Sequence, residues 1–352
     1  MPRLLLITYK RFLGLDSLGD SQPRGMYGAF LRLGYTISLY SGLQGKRHRH
    51  WTRLFSKLAE LKKAPPDFCY MEMPENARYT LCDYLLLITL HHRKVPVGCM
   101  YRDARWRFAK QDGDHGAKRW ITLQKRRLDL FLLSRTAKVV FFPTGSMAEL
   151  FRFRQTSVLP PAGTDCVAPA HETARRAIYV GHISGLYGTD ILLNAFEIIN
   201  RRMLKNIRLT VCCRAGEMGS FFEPFRNEPW LEIVQDADEA RMQSLYAQSD
   251  AAMFCGRHDS YMDCCLPSNL FEYLSRALPV VSTNCTEAAR FVLKNGIGVV
   301  AQDNPGAFAS AVVSLVEDRR QIVLCRANAK SALRRRNLWE HRAKKAAAEI
   351  LN

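Results

Sequence analysis

Leu266-Pro267-Ser268-Asn269-Leu270-Phe271-Glu272-Tyr273-Leu274, followed four residues later by Pro279-Val280-Val281-Ser282-Thr283, decides the fold. The pattern predicts an apolar-faced helix carrying one glutamate, set directly before a buried strand. In open α/β sheets ligands bind in the crevice beyond the strand ends, where helix N-termini offer unpaired N–H groups and partial positive charge to phosphates. A nucleotide diphosphate suits such a place.

Working outward, the same alternation recurs on both sides. Upstream, Ala177 to Gly181 reads as a strand, Asp190 to Asn200 as a helix, and Ile207 to Cys213, Leu231 to Val234 and Ala251 to Cys255 as further strands; Gly298 to Ala301 follows downstream. The first half opens as strand (Leu4 to Thr8), loop, helix (Met26 to Leu33) and strand (Gly34 to Tyr40). Short apolar runs then recur at Phe68 to Met71, Val97 to Tyr101, Val139 to Phe142 and Ser157 to Leu159. Pro160 to Asp165 breaks the period and Ala168 to Ala174 reads as a linker. The expected class is α/β, two Rossmann-like domains facing across a cleft: an N-terminal domain over 1–165, a second over 175–336, and a last helix over 337–352.

The 352 residues are 47% hydrophobic and 24% charged, a globular composition. No apolar run approaches the roughly 20 residues of a spanning helix, and the short Leu4 to Ile7 run reads as a buried strand rather than a leader. A cytoplasmic location is expected. Eleven cysteines without a C-x-x-C pair fit neither a zinc site nor a disulfide framework. Charge is uneven: residues 1–165 hold 28 Lys+Arg against 13 Asp+Glu, a surplus of +15, while residues 166–352 hold 23 against 20. An anionic partner for the first half follows: an acidic membrane surface, a phosphate-bearing substrate or nucleic acid. No zinc-finger, RRM or helix-turn-helix pattern supports the last, and nucleic acid is not expected.

The opening segment resembles the donor motif of GT-B glycosyltransferases, family 4-like, Pro-x-Lys-Leu-Phe-Glu-Tyr-Leu-Ala followed by Gly-x-Pro-Val-Val. The resemblance gives Glu272 the ribose hydroxyls and the Ser268, Asn269 and Leu270 backbone the diphosphate. Tyr179 to Phe196 resembles the family's phosphate-holding strand-loop-helix, which brings in Gly181 and His182. The chain departs from the pattern in several places. Asn269 stands where lysine is usual, Ala277 where glycine is, Cys264 where a second glutamate would precede Glu272 by eight residues, and His182 and Tyr187 where arginine and lysine neutralise the diphosphate. Asp263 or Asp259 would then supply the missing carboxylate. Arg214, Arg257 and a protonated His182 are the replacement cations, with solvated surface arginines as the alternative. The resemblance also implies that the last helix crosses back onto the first domain.

In the first half, Lys94 to Asp103 reads as a strand ending in a carboxylate, and related transferases carry an acid or histidine there. Asp103 is the catalytic candidate, as base or as acceptor-positioning group, with a salt bridge to Arg102 or Arg105 as the alternative. Asp20 and Glu72 are candidate acceptor-binding residues. Lys46 to Lys63 is a basic segment with Trp51, Leu54, Phe55, Leu58 and Leu61 at helical spacing, a stripe that would lie on an anionic bilayer or pack on a sheet.

The expected function is metal-independent, hexosyltransferase-like transfer from a UDP- or GDP-linked sugar to an acceptor hydroxyl, with retention, in cell-surface polysaccharide, lipid-linked glycan or other glycoconjugate synthesis. No cofactor beyond this co-substrate is implied, and the protein would be peripheral on the inner face of a membrane. The alternatives are a degenerate binding or scaffold subunit and a sugar-nucleotide epimerase.

Overall fold

Leu4, Leu5, Leu6 and Ile7 are sealed from solvent, the burial a central parallel strand requires. They belong to β1 (Arg3–Thr8), which pairs with β2 (Thr36–Ser41) on one side and β3 (Phe68–Glu72) on the other. The structure is a computed structural model that describes residues 2–9, 21–41, 47–73, 79–102, 104–108, 117–167 and 175–352. It divides into two units, one of Met1–Pro160 with Trp339–Asn352, the other Pro161–Leu338. The expected linker over 168–174 lies outside the described residues.

In the first unit, β4 (Val97–Met100), β5 (Val139–Phe142) and β6 (Thr156–Val158) complete a parallel sheet ordered β2-β1-β3-β4-β5-β6. Its crossovers are α1 (Ser21–Arg32), α2 (Arg47–Lys63), α3 (Leu81–His92), then α4 (Arg105–Phe108) with α5 (Ala117–Thr136), and α6 (Gly145–Ala148). Helix α2 touches α3, and α3 touches α5, one layer on one face of the sheet, as right-handed crossovers demand. On the other face α1 packs against α13 (Trp339–Leu351), which also covers β3 and β4. Two glycines admit α13. A side chain on Gly25 would meet the Trp339 ring at 2.3 Å, and one on Gly98 would meet Ile350 at 2.3 Å.

The apolar stripe of α2 divides. Leu54 and Leu61 turn into the core, whereas Trp51 and Phe55 remain outside, stacked with ring centroids 6.1 Å apart.

In the second unit, β7 (Arg176–Val180), β8 (Arg208–Cys213), β9 (Leu231–Gln235), β10 (Ala251–Phe254), β11 (Val280–Thr283) and β12 (Gly298–Ala301) form a parallel sheet ordered β12-β11-β10-β7-β8-β9. Helices α7 (Thr189–Glu197), α8 (Glu239–Ala247), α9 (Ser268–Ser275), α10 (Thr286–Asn295), α11 (Pro305–Glu317) and α12 (Arg319–Arg336) supply its remaining layers. Strand order reverses between β7 and β10. That reversal is the topological switch point at which doubly wound sheets bind ligands.

Candidate nucleotide-binding site

The start of α9 converges on the carboxyl end of β7 at this switch point. Tyr273, fully buried, accepts a hydrogen bond from the Val180 amide at 3.0 Å, and its hydroxyl lies 3.3 Å from the carbonyls of both Val180 and Met253. One phenol therefore ties β7, β10 and α9 together. Four residues earlier on the same helix face, Asn269 donates from Nδ2 to the Val180 carbonyl at 3.0 Å. Asparagine, unlike lysine, brings no charge here and spends a donor on the sheet. The buried Asn269 Oδ1 takes no donor among the described residues, an unusual state for a sealed acceptor. Gly181 lies beside it, with a notional Cβ 3.5 Å from Asn269 Nδ2. Pro267 caps α9 without a side-chain hydrogen bond, so the first-turn amides at Ser268 and Asn269 receive no capping side chain.

Glu272 lies on another face of α9. Its Oε2 accepts from the Tyr246 hydroxyl at 3.0 Å, while among the described residues no donor reaches Oε1, and the residue is only half-buried. Arg276, one turn on, stacks over the Tyr246 ring at 4.1 Å. Burial pushes the Glu272 carboxyl above its ordinary range, against the opposing pull of the Tyr246 hydroxyl and the Arg276 charge. A partly buried carboxylate with one oxygen anchored and one open can receive a vicinal diol. Ala277, the usual glycine position, has φ +54°, the left-handed conformation that a glycine adopts without strain.

The loop after β7 is clamped to the loop after β10. Gly188 has φ +61°, and a Cβ there would lie 1.7 Å from the Cys255 carbonyl oxygen. Arg257 donates its amide to Leu186 O at 3.0 Å and Nε to Gly185 O at 3.2 Å, and it pairs through Nη2 with Asp190. The guanidinium is thereby brought to the phosphate-side loop, but with its charge already matched by a carboxylate. His182 is engaged likewise, Nδ1 lying 2.6 Å from Glu217 Oε1, with the Tyr187 ring 5.4 Å away. Arg214 stands exposed just beyond β8.

Other predicted residues fall elsewhere. Asp263 Oδ1 accepts from the Thr286 amide and hydroxyl at 2.9 and 3.1 Å and lies 2.7 Å from His258 Nδ1. It caps α10 instead of standing in for the missing glutamate, because an uncapped helix start draws the nearest carboxylate. Asp259 is similarly spent on the amides of Tyr261 and Met262. Glu72 is 2% exposed and paired at 2.7 Å with Arg102, itself 17% exposed. That is a correction to its expected acceptor-binding place: a carboxylate ending a fully buried strand requires a cation, and Arg102 supplies it. Asp20 and Asp103 lie outside the described residues. Among the described residues no three His, Cys, Asp or Glu side chains gather as metal ligands, and no helix is long and apolar enough to cross a membrane.

Several contributors were absent from the sequence reading. Arg276 was legible as an i, i+4 partner of Glu272, and Tyr273 as an i, i+4 companion of Asn269. Asp190, Glu217 and Tyr246 were not, since each meets its partner only through the fold.

The family model for glycosyl transferases group 1 matches residues 174–318. No curated protein matches the chain. Among solved structures the chain is similar to the sucrose-phosphate synthase of Thermosynechococcus elongatus, with TM-score 0.70 and 12% identity over 99% of this chain and 98% of that one. It is also similar to an α,α-trehalose-phosphate synthase (UDP-forming) of Burkholderia xenovorans solved with glucose-6-phosphate (0.65, 10%, 99% and 100%). A third is Alr3699/HepE of Anabaena solved with UDP (0.63, 12%, 99% and 99%). These identities establish a shared fold.

Proposed function

We propose that the protein transfers a sugar from a nucleotide-sugar donor to an acceptor hydroxyl, a reading supported by the match of residues 174–318 to glycosyl transferases group 1 and by the GT-B fold. The observation that carries this reading is the meeting of the α9 N-terminus, the β7 end and the half-open Glu272 carboxylate at the switch point. Glu272 Oε1 receives the ribose hydroxyls, and the Ser268 to Leu270 backbone faces the diphosphate. Uridine is the favoured base, supported by similar proteins described as UDP-forming or solved with UDP. The transferred group is a hexose, and the leaving diphosphate is stabilised by the helix start and by Arg214, His182 and Arg257 without a metal ion. Transfer proceeds with retention, Asp103 positioning the acceptor hydroxyl and Asp20 lining the acceptor side. The acceptor is a glycan or lipid-linked precursor in cell-surface or other glycoconjugate synthesis, met by a cytoplasmic protein at an anionic membrane surface.

Calorimetry with UDP and GDP, followed by nucleotide release from a panel of UDP- and GDP-sugars, tests the proposal. Binding of UDP with release on acceptor addition is expected, and Asp103→Asn abolishes release while sparing binding. Failure to bind either nucleotide refutes it.

One observation favours a second reading, a binding subunit without turnover: Arg257 and His182 are both already matched by carboxylates. UDP binding with no donor cleavage by any acceptor class would select that reading. An epimerase on the same fold would convert the donor sugar with no acceptor present.

A further inference from the structure

The outer face of the α2–α3–α5 layer leaves large apolar side chains in water. On α3, Leu81, Leu85 and Ile88 recur at intervals of four and three residues, all exposed; on α5, Trp120, Leu128 and Phe131, eight and three residues apart, are exposed too, Trp120 at 63%. The stacked Trp51 and Phe55 of α2 extend the strip. Isolated exposed apolar residues are ordinary, but three helices in contact that each expose large apolar side chains are not.

Charge on this face is mostly basic: on α2 the exposed Glu60 is paired with Lys57 at 2.6 Å. Helices α3 and α5 carry one carboxylate each, Asp83 and Asp129, and both are turned inward, at 4% and 3% exposure. Asp83 closes a capping box with Thr80, and Asp129 accepts from the Tyr84 hydroxyl at 2.6 Å. Lys125, Arg127 and Arg135 stay at the surface. Beside α5 an open recess of about 300 Å³ is lined by Arg107, Arg127 and Arg152 with Phe131, Phe151 and Ser134. The Arg107 guanidinium stacks over the Phe151 ring at 4.9 Å. None of the three arginines is ion-paired among the described residues.

We infer that this face docks on an anionic lipid bilayer, its aromatic side chains entering the interface and the arginine recess holding a lipid phosphate. Guanidinium forks bind phosphate oxygens in pairs, and stacking on an aromatic ring fixes the fork beforehand. A protein partner would be met by a centre depleted of charge, whereas here cations are interleaved with apolar side chains, as at a lipid headgroup boundary. The inference deepens the proposed function by naming the surface through which a lipid-borne acceptor is approached. Vesicle binding needs neither donor nor turnover, so each can fail while the other stands.

The test is cosedimentation of the full chain with phosphatidylcholine vesicles, with and without phosphatidylglycerol. Binding is expected only with the anionic vesicles and weakens as salt rises. Replacing the recess arginines together (Arg107→Gln, Arg127→Gln, Arg152→Gln) lowers partitioning by about 100-fold, and Trp120→Ser with Phe131→Ser lowers it by at least about 10-fold. Melting temperature and UDP binding are measured on both variants to confirm an intact fold. No cosedimentation with anionic vesicles, or undiminished cosedimentation of a well-folded triple variant, overturns the inference. A face that instead serves nucleic acid or a soluble protein gives the first of these results.

Discussion

Glu272→Gln separates the ligand role of this carboxylate from its role in stability, because the two move in opposite directions. In the folded chain Oε2 is held by Tyr246 and Oε1 is open. Glutamine keeps the volume and an acceptor for Tyr246 but loses the charge. Hydrogen bonds to an ionised group contribute about 1.5–3 kcal/mol and neutral ones about 1 kcal/mol, so replacing two charge-assisted ribose contacts by one neutral contact costs roughly 2–5 kcal/mol of UDP affinity. That is a weakening of at least about 30-fold, readable by calorimetry. The stability effect has the other sign. Burial raises the folded pKa of Glu272 above its unfolded value, so the folded chain binds the extra proton between the two values. This group's contribution is most favourable below the unfolded pKa and falls as pH rises through the folded one. Urea unfolding should therefore show the glutamine variant at least as stable as the parent at neutral pH, with a flatter slope above the ordinary glutamate pKa. Unchanged UDP affinity would refute the ribose assignment; a variant unstable at all pH values would refute the account of its burial.

Three further outcomes follow from the geometry. Asp190→Asn frees Arg257 from its ion pair and should tighten UDP binding by up to about fivefold, since a pair this exposed contributes under ~1 kcal/mol to folding; unchanged binding would place Arg257 away from the diphosphate. Gly188→Ala forces a Cβ into the Cys255 carbonyl at a left-handed φ, and should cost at least ~3 kcal/mol in urea unfolding; a loss below ~1 kcal/mol would contradict the clamp. Glu72→Gln removes the carboxylate charge beside the mostly buried Arg102 guanidinium, with an expected loss of about 3 kcal/mol that the paired replacement Glu72→Met, Arg102→Leu largely recovers; failure of that recovery in a melting assay would show that the pair does more than neutralise itself.

The architecture was legible because buried parallel strands are written as unbroken apolar runs. Leu4 to Ile7, Phe68 to Met71 and Val280 to Thr283 needed only their neighbours to be recognised. The α9 motif was legible because its parts are local: Pro267, the apolar spacing and the single Glu272 lie within one helix. What stayed hidden were pairings across distance. Nothing near Arg257 marks Asp190, 67 residues away, as the carboxylate that matches it, and nothing near His182 marks Glu217. Asp263 looked like a free loop acid because the helix start it caps, at Thr286, lies 23 residues further on. Glu72 shows the converse limit. Strand-end position was read as access, whereas the fully buried β3 ends in an internal ion pair with Arg102.

The slots that Gly25 and Gly98 leave for Trp339 and Ile350 have a bearing on synthesis. A ribosome making this protein finishes every strand of the first sheet, then the whole second unit, before it delivers the helix that shields one side of that sheet. Until then β3 and β4 present bare apolar surface to the cell, so the earlier-made lobe must wait, sheltered or loosely collapsed, for Trp339–Leu351 to close it. Removal of Trp339–Leu351 would leave that wait without an end.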